Sequence, residues 1–222
     1  MAKFHREEDI YGYCILRNED LEAIHDSTLE LMEEYGLQMH GEEALCILEG
    51  AGCEVDRTTD RVRFPKNLVT DAIEKCPEAF TLCGRDPKND TQVGGKRVAF
   101  KNFGTGVKII DPYTGEVRDS TKEDLGNVAR FIDSMEEVDV FSIAVAACDV
   151  NQEVKALHEA EAVFNNLTKN FAHDLEGVPN TQRFIDMAAA IMGGYDKLRE
   201  RPIITMGACP NSPLELNKNE TD

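Results

Sequence analysis

Two residues stand where an α/β protein presents functional groups: Asp149 and His173. Each lies just past a short apolar run that reads as a buried strand, and strand ends are where such folds display chemistry. An aspartate there can accept a proton or hold a cationic substrate. The competing role is a helix N-cap, because Asp149 precedes one helical pattern and His173-Asp174 another. Residue chemistry leaves both readings open. His158 lies on the apolar stripe of its helix and reads as a hydrogen-bonded core histidine. His158-Glu159 begins the metalloprotease pattern H-E-x-x-H, but position 162 is alanine and the second ligand is missing. Phe103-Gly-Thr-Gly106 lacks the third glycine of a dinucleotide loop and the lysine of a P-loop, and no helical pattern follows it. It reads as a tight strand-to-strand turn near a ligand, its glycines marking close backbone approach. Cys148 and Cys209 also follow strand-like runs, but nothing basic is near Cys148 in sequence to make a thiolate.

The elements that must position these residues fall into two textures. Over residues 1–95 the pattern is mixed helix and hairpin. Asn18 reads as an N-cap with Glu19 and Asp20 at the positive end of the dipole, and Gly36 as the left-handed residue closing the helix. A second helix carries Leu45 and Leu48. Val55 and Val62 flank a small hairpin, and Pro65 opens a third helix with Leu68, Val69, Ala72 and Ile73 on its buried side. From about Phe80 short β-like runs appear, including Arg97-Val-Ala-Phe100 and Gly106-Val-Lys-Ile-Ile110. Thr121-Lys-Glu-Asp124 then opens a helix like a capping box. Val138 to Ala147, apolar but for Asp139 and Ser142, reads as a strand buried on both faces. A helix, the strand Asn170–His173, a further helix and the strand Pro202–Gly207 follow. This strand–helix alternation predicts a parallel sheet, which a doubly wound fold and a (β/α)₈ barrel both supply.

Composition narrows the class. The 222 residues carry 42 acidic and 24 basic side chains, a net charge of −18, with 41% apolar residues. That is a foldable globular composition. Its acidity argues against binding nucleic acid or an anionic membrane surface. The longest nearly apolar run is too short to span a bilayer, and the first residues do not form a secretory signal. Seven scattered cysteines, without a Cys-x-x-Cys pair, predict free thiols and a cytoplasmic protein rather than a disulfide or zinc framework.

Eight segments occur in an order that resembles a known family. They are Glu22-Ala-Ile-His25, Gly52-Cys-Glu-Val-Asp56, Cys83-Gly-Arg-Asp86, Phe103–Lys108, Val138–Ser142 with Asp149, His158-Glu159, Asn170-Phe-Ala-His173 and Cys209-Pro-Asn-Ser-Pro-Leu-Glu-Leu216. Together they resemble the trimethylamine:corrinoid methyltransferases, within the quaternary-amine methyltransferase superfamily, from about residue 18 to 219. The resemblance implies an α/β fold: an N-terminal α/β region over 1–95 and the first half of a TIM (β/α)₈ barrel over 96–222. It implies methyl transfer from trimethylamine to the Co(I) corrinoid of a partner protein, in methanogenesis from methylamines. No cofactor would then be bound by this chain. It also implies a homo-oligomer at full length, and a pyrrolysine in the second half of the barrel, beyond residue 222.

By their chemistry and strand-end placement, Asp149 and His173 are the candidate catalytic residues, and Phe103, Gly104 and Thr105 the candidate substrate-binding residues. Methyl transfer to Co(I) requires a cationic amine, so its pocket should offer a carboxylate or aromatic face and exclude water. A half-barrel leaves an unpaired parallel edge, which predicts that the 222-residue chain alone is inactive and poorly soluble or oligomeric. Two other readings remain: a betaine-type methyltransferase of the same superfamily lacking pyrrolysine, and a non-catalytic module that binds a corrinoid protein.

Overall fold

A computed structural model describes residues 15–95, 97–174 and 177–221. These fall into two compact units, one within Met1–Pro77 and Cys209–Asp222, the other within Glu78–Ala208. The sequence-based boundary at 95/96 therefore lies inside the second unit, and residues from Cys209 onward belong to the first.

The first unit begins α1 (Asn18–Glu34), β1 (Leu37–Met39), α2 (Glu42–Gly50), β2 (Glu54–Asp56), β3 (Arg61–Arg63) and α3 (Lys66–Glu74). The cap of α1 is Arg17, one residue before the expected Asn18, and the Asp20 carboxylate accepts from the Arg17 N–H at 2.9 Å. Gly36 closes the helix at φ +68° as read; a Cβ there would lie 2.0 Å from the Val62 carbonyl oxygen. β2 and β3 form the expected hairpin. Leu45, Cys53 and Val62 make a small core on which Leu68 of α3 packs. No residue of α3 is fully buried, and Ile73 is 40% exposed, because so small a core can cover only one turn of that helix.

The second unit contains β4 (Ala79–Leu82), β5 (Thr91–Gly94), β6 (Lys108–Ile110), β7 (Val117–Asp119), α4 (Lys122–Asp133), β8 (Val140–Ser142), α5 (Lys155–Phe164), β9 (Asn170–Asp174), α6 (Val178–Met192), α7 (Tyr195–Glu200) and β10 (Ile204–Gly207). The chain then returns to the first unit with β11 (Glu215–Leu216) and the turn-length α8 (Lys218–Thr221). β11 adds to β1 in parallel, giving the sheet order β11-β1-β3-β2. Nothing in the short run Leu214–Leu216 announces this pairing.

Within the second unit β8, β9 and β10 form a parallel sheet in sequential order. A fourth segment lies beside β8 through the parallel bridges Lys101↔Val140 and Gly106↔Val145. Between these bridges Asn102 replaces ladder bonds with its side chain, accepting from the Ser142 N–H and donating to the Ser142 carbonyl, both at 2.9 Å. The expected strand 97–100 is thus irregular backbone, and the expected strand 138–147 is regular only over β8.

One core joins all the crossover helices to one face of this sheet. Leu125, Ala129 and Ile132 of α4, Val163 and Phe164 of α5, and Phe184 and Ala188 of α6 cluster with Phe141, Ile143, Phe171 and Ile203. Phe171 lies edge-on to Phe164 and Phe184 at 5.4 Å, and full burial of each such ring contributes about 2–3 kcal/mol. The alternate residues Ser142, Ala172 and Thr205, aligned by register, point to the other face and are only half-buried. The described residues form a mixed α/β fold and no closed barrel.

Candidate active site at the strand ends

The C-terminal ends of the four parallel segments bring together Phe103-Gly-Thr-Gly106, the loop Ile143–Asp149, the end of β9 and the end of β10. Gly104 is required by close approach: a Cβ there would lie 1.7 Å from the Ile143 carbonyl oxygen. Thr105 donates its hydroxyl to the same carbonyl at 3.2 Å. Phe103 is 96% exposed. The three residues expected to bind substrate are therefore neighbours on one strand end, two of them held by the backbone of the segment after β8.

Asp149 is placed differently from either simple expectation. It caps a helix, but the helix is α4 rather than the one that follows it: its Oδ1 accepts the Lys122 N–H at 2.7 Å. Thr121 caps the same terminus through a reciprocal box with Asp124. Two acceptors thus satisfy donors that α4 leaves unpaired, and the Asp149 side chain remains exposed.

His173 is 7% exposed and lies on the helix-facing side of β9, in register with Phe171. Its Nε2 stands 3.9 Å from Oε2 of Glu159, itself 2% exposed on α5, and its ring meets Phe184 edge-on at 5.4 Å. Glu159 accepts the Ala147 N–H at 2.9 Å. The pair ties α5 to β9 and to the loop after β8. His158, read as a core histidine, is instead half-exposed, with Lys122 Nζ 3.1 Å from its Nδ1. That lysine also donates to Glu161 at 2.6 Å and holds its carboxyl below the usual range.

Asp174, expected with His173 only as a helix cap, does not cap α6, whose cap is Gly177. Strand parity sends its side chain opposite to His173, onto the face with Ala172 and Thr205. Its register partner is Gly207, and a Cβ built on Gly207 would lie 3.7 Å from Asp174 Oδ1. The signal was the alternation itself: with Phe171 facing inward to the helices, His173 must follow it and Asp174 cannot.

A recess of about 540 Å³ opens at the opposite ends of the strands and is lined by Asp90, Asp133, Glu136, Asp139 and Lys169 among others. There Lys169, buried, donates to the carbonyls of Ile132, Met135 and Val138 and so satisfies the end of α4. Burial lowers its pKa. Among the described residues no helix is long and apolar enough to cross a membrane, no group of His, Cys, Asp and Glu could hold a metal ion, and Cys46, Cys53, Cys76, Cys83, Cys148 and Cys209 are free thiols.

Comparison with known proteins gives this geometry a context. The chain is 46% identical over 206 residues to a trimethylamine methyltransferase of Desulfitobacterium hafniense (strain DSM 10664 / DCB-2), covering 93% of this chain and 42% of that protein. It is 37% identical to the trimethylamine methyltransferase of Methanosarcina thermophila, over 92% of this chain and 44% of that one. A glycine betaine methyltransferase of Desulfitobacterium hafniense (strain Y51) is 26% identical over 93% of this chain and 43% of its own length. The chain thus spans less than half the length of the curated relatives it matches. The family model for trimethylamine methyltransferase (MTTB) matches residues 4–222, and the chain belongs to that family.

Proposed function

We propose that this chain is the N-terminal part of an enzyme that moves a methyl group from trimethylamine to the corrinoid of a partner protein. The observation that carries the reading is the 46% identity to a trimethylamine methyltransferase across 93% of the chain. The sheet supports it. A doubly wound fold covers both faces of its sheet with helices, whereas among the described residues of this unit the sequential parallel strands pack their helices on one face. We read 100–208 as the first four strands of a (β/α)₈ barrel, with its active site at their C-terminal ends. The free thiols accord with a cytoplasmic enzyme, and a homo-oligomer is the expected state of the complete protein.

The partner's corrinoid supplies the methyl acceptor. The C–N bond breaks, its electron pair stays on nitrogen, and protonated trimethylamine leaves as neutral dimethylamine. This chain has therefore to bind a small cation, orient one methyl outward and keep water away. Phe103 offers an aromatic face for the ammonium, on a loop set by Gly104 and Thr105. Asp149 and His173 serve by position, the one fixing α4 and the other α5, against the loop that carries the strand ends.

The test is an assay of the complete gene product with reduced corrinoid protein, following dimethylamine. Trimethylamine-dependent dimethylamine is the expected result. Demethylation of glycine betaine instead would move the protein to the branch represented by the 26% relative. Binding of the corrinoid protein without turnover of either amine would make it a non-catalytic module.

A further inference from the structure

Asp174 is the one carboxylate among the residues of β8, β9 and β10, and it stands at the end where a barrel presents its chemistry. It is exposed, and among the described residues no hydrogen bond or ion pair reaches its side chain. Among the described residues Asp149 and Glu159, also near these strand ends, each accept a backbone N–H. The place beside Asp174 is left empty by Gly207. An added methyl carbon there would sit 3.7 Å from Oδ1, in ordinary van der Waals contact, and Gly207 adopts no left-handed conformation that would otherwise call for glycine.

A carboxylate oxygen with a methyl-sized space in contact with it is what a methylated ammonium needs. The positive charge of such a cation is spread over its N-methyl groups, which approach carboxylate oxygens through C–H···O contacts at about 3.3–3.6 Å. Neighbouring Ala172 and Thr205 are small and only half-buried, so the face is unobstructed on the β9 and β10 side.

We propose that Asp174 and Gly207 form the subsite that holds the methylated ammonium group, Asp174 by charge and Gly207 by leaving room. The inference rests on the amine reading given above. Asp174 sets affinity for the cation, and position 207 sets how many N-methyl groups fit beside it.

The experiment uses the complete gene product and two variants, Asp174→Asn and Gly207→Ala. Binding of trimethylammonium chloride is measured by calorimetry, and dimethylamine formation gives kcat and KM. Asp174→Asn should weaken binding and raise KM at least tenfold, with kcat changed much less. Gly207→Ala should raise KM for trimethylamine more than for dimethylamine while the melting temperature holds. Unchanged binding and KM in a folded Asp174→Asn protein overturns the subsite. If that variant does not fold, Gly207→Ala decides: unaltered KM values for both amines refute the proposal. A wild-type protein that neither binds nor demethylates trimethylamine overturns the functional reading itself, a different result from an active wild type with indifferent variants.

Discussion

At the scale of single residues, backbone approach decides more here than side-chain chemistry. Gly104 lets the chain pass against the segment that follows β8, and any Cβ would fall on the Ile143 carbonyl. Gly104→Ala should therefore destabilise the protein by about 3 kcal/mol, seen as a lowered urea midpoint with unchanged slope. A midpoint within experimental error of wild type would mean that the loop has another place to go. This close approach was legible in the sequence, since Phe103-Gly-Thr-Gly106 failed every phosphate-loop pattern and still kept two glycines. The orientation of His173 was not. Its type and its place at a strand end suggested chemistry, but facing is a matter of parity, and parity could be fixed only once Phe171 was known to meet Phe164 and Phe184.

At the scale of elements, the hairpin of β6 and β7 is joined to α4 by charge. Arg118 donates to Asp111 at 3.0 Å and to Asp124 at 2.6 and 2.9 Å, and Asp124 also closes the capping box with Thr121. The Arg118 bonds are the chief cause that holds the Asp124 carboxyl well below its usual value of 3.8. In Asp111 the N–H groups of Tyr113 and Thr114 act first, and Arg118 adds to them. A carboxylate with a depressed folded-state pKa contributes stability above its unfolded value and loses it as pH falls through the folded one. Thermal stability should thus decline from about pH 4 downward, and Asp124→Asn should flatten that decline while lowering stability at neutral pH. An acid limb of unaltered slope in the variant would assign the loss to other groups. The capping box was readable from Thr121 and Asp124 because both partners lie within one turn. β7 was not, because Val117-Arg-Asp119 is too short for alternation to show and depends on its partner Lys108–Ile110.

At the scale of the whole molecule, the first unit takes the strand β11 from beyond the Glu78–Ala208 unit. His40 follows β1, and its Nε2 lies 2.8 Å from Glu215 of β11 while its Nδ1 lies 3.4 Å from Asp60. Glu215 and then Asp60 raise the imidazole pKa above 6.5. A histidine raised in this way adds stability that is fully present below its unfolded pKa and is lost as pH rises through the folded value. Amide exchange, corrected for its intrinsic pH dependence, should show β11 protected at pH 6 and less so at pH 8.5. His40→Gln should remove that difference, and a pH-dependent protection that survives the substitution would place its origin elsewhere. The overall class, mixed α/β with a parallel sheet, was legible from alternating helix and strand patterns over 121–207. The return of β11 was not, because a two-residue parallel pairing across most of the chain carries no local signature.

That return has a temporal side. As the chain emerges from the ribosome, α1 to α3 and the β2–β3 hairpin appear before the Glu78–Ala208 unit, but β11, the parallel partner of β1, is made only after it. During that interval β1 has an exposed edge on which a foreign strand could settle. The second unit, contiguous in the chain, can complete its own core meanwhile. Synthesis therefore makes the first unit wait for β11 until the Glu78–Ala208 unit has been made, and a ribosome-stalled chain ending before residue 215 should expose the β1 edge to proteolysis or strand capture.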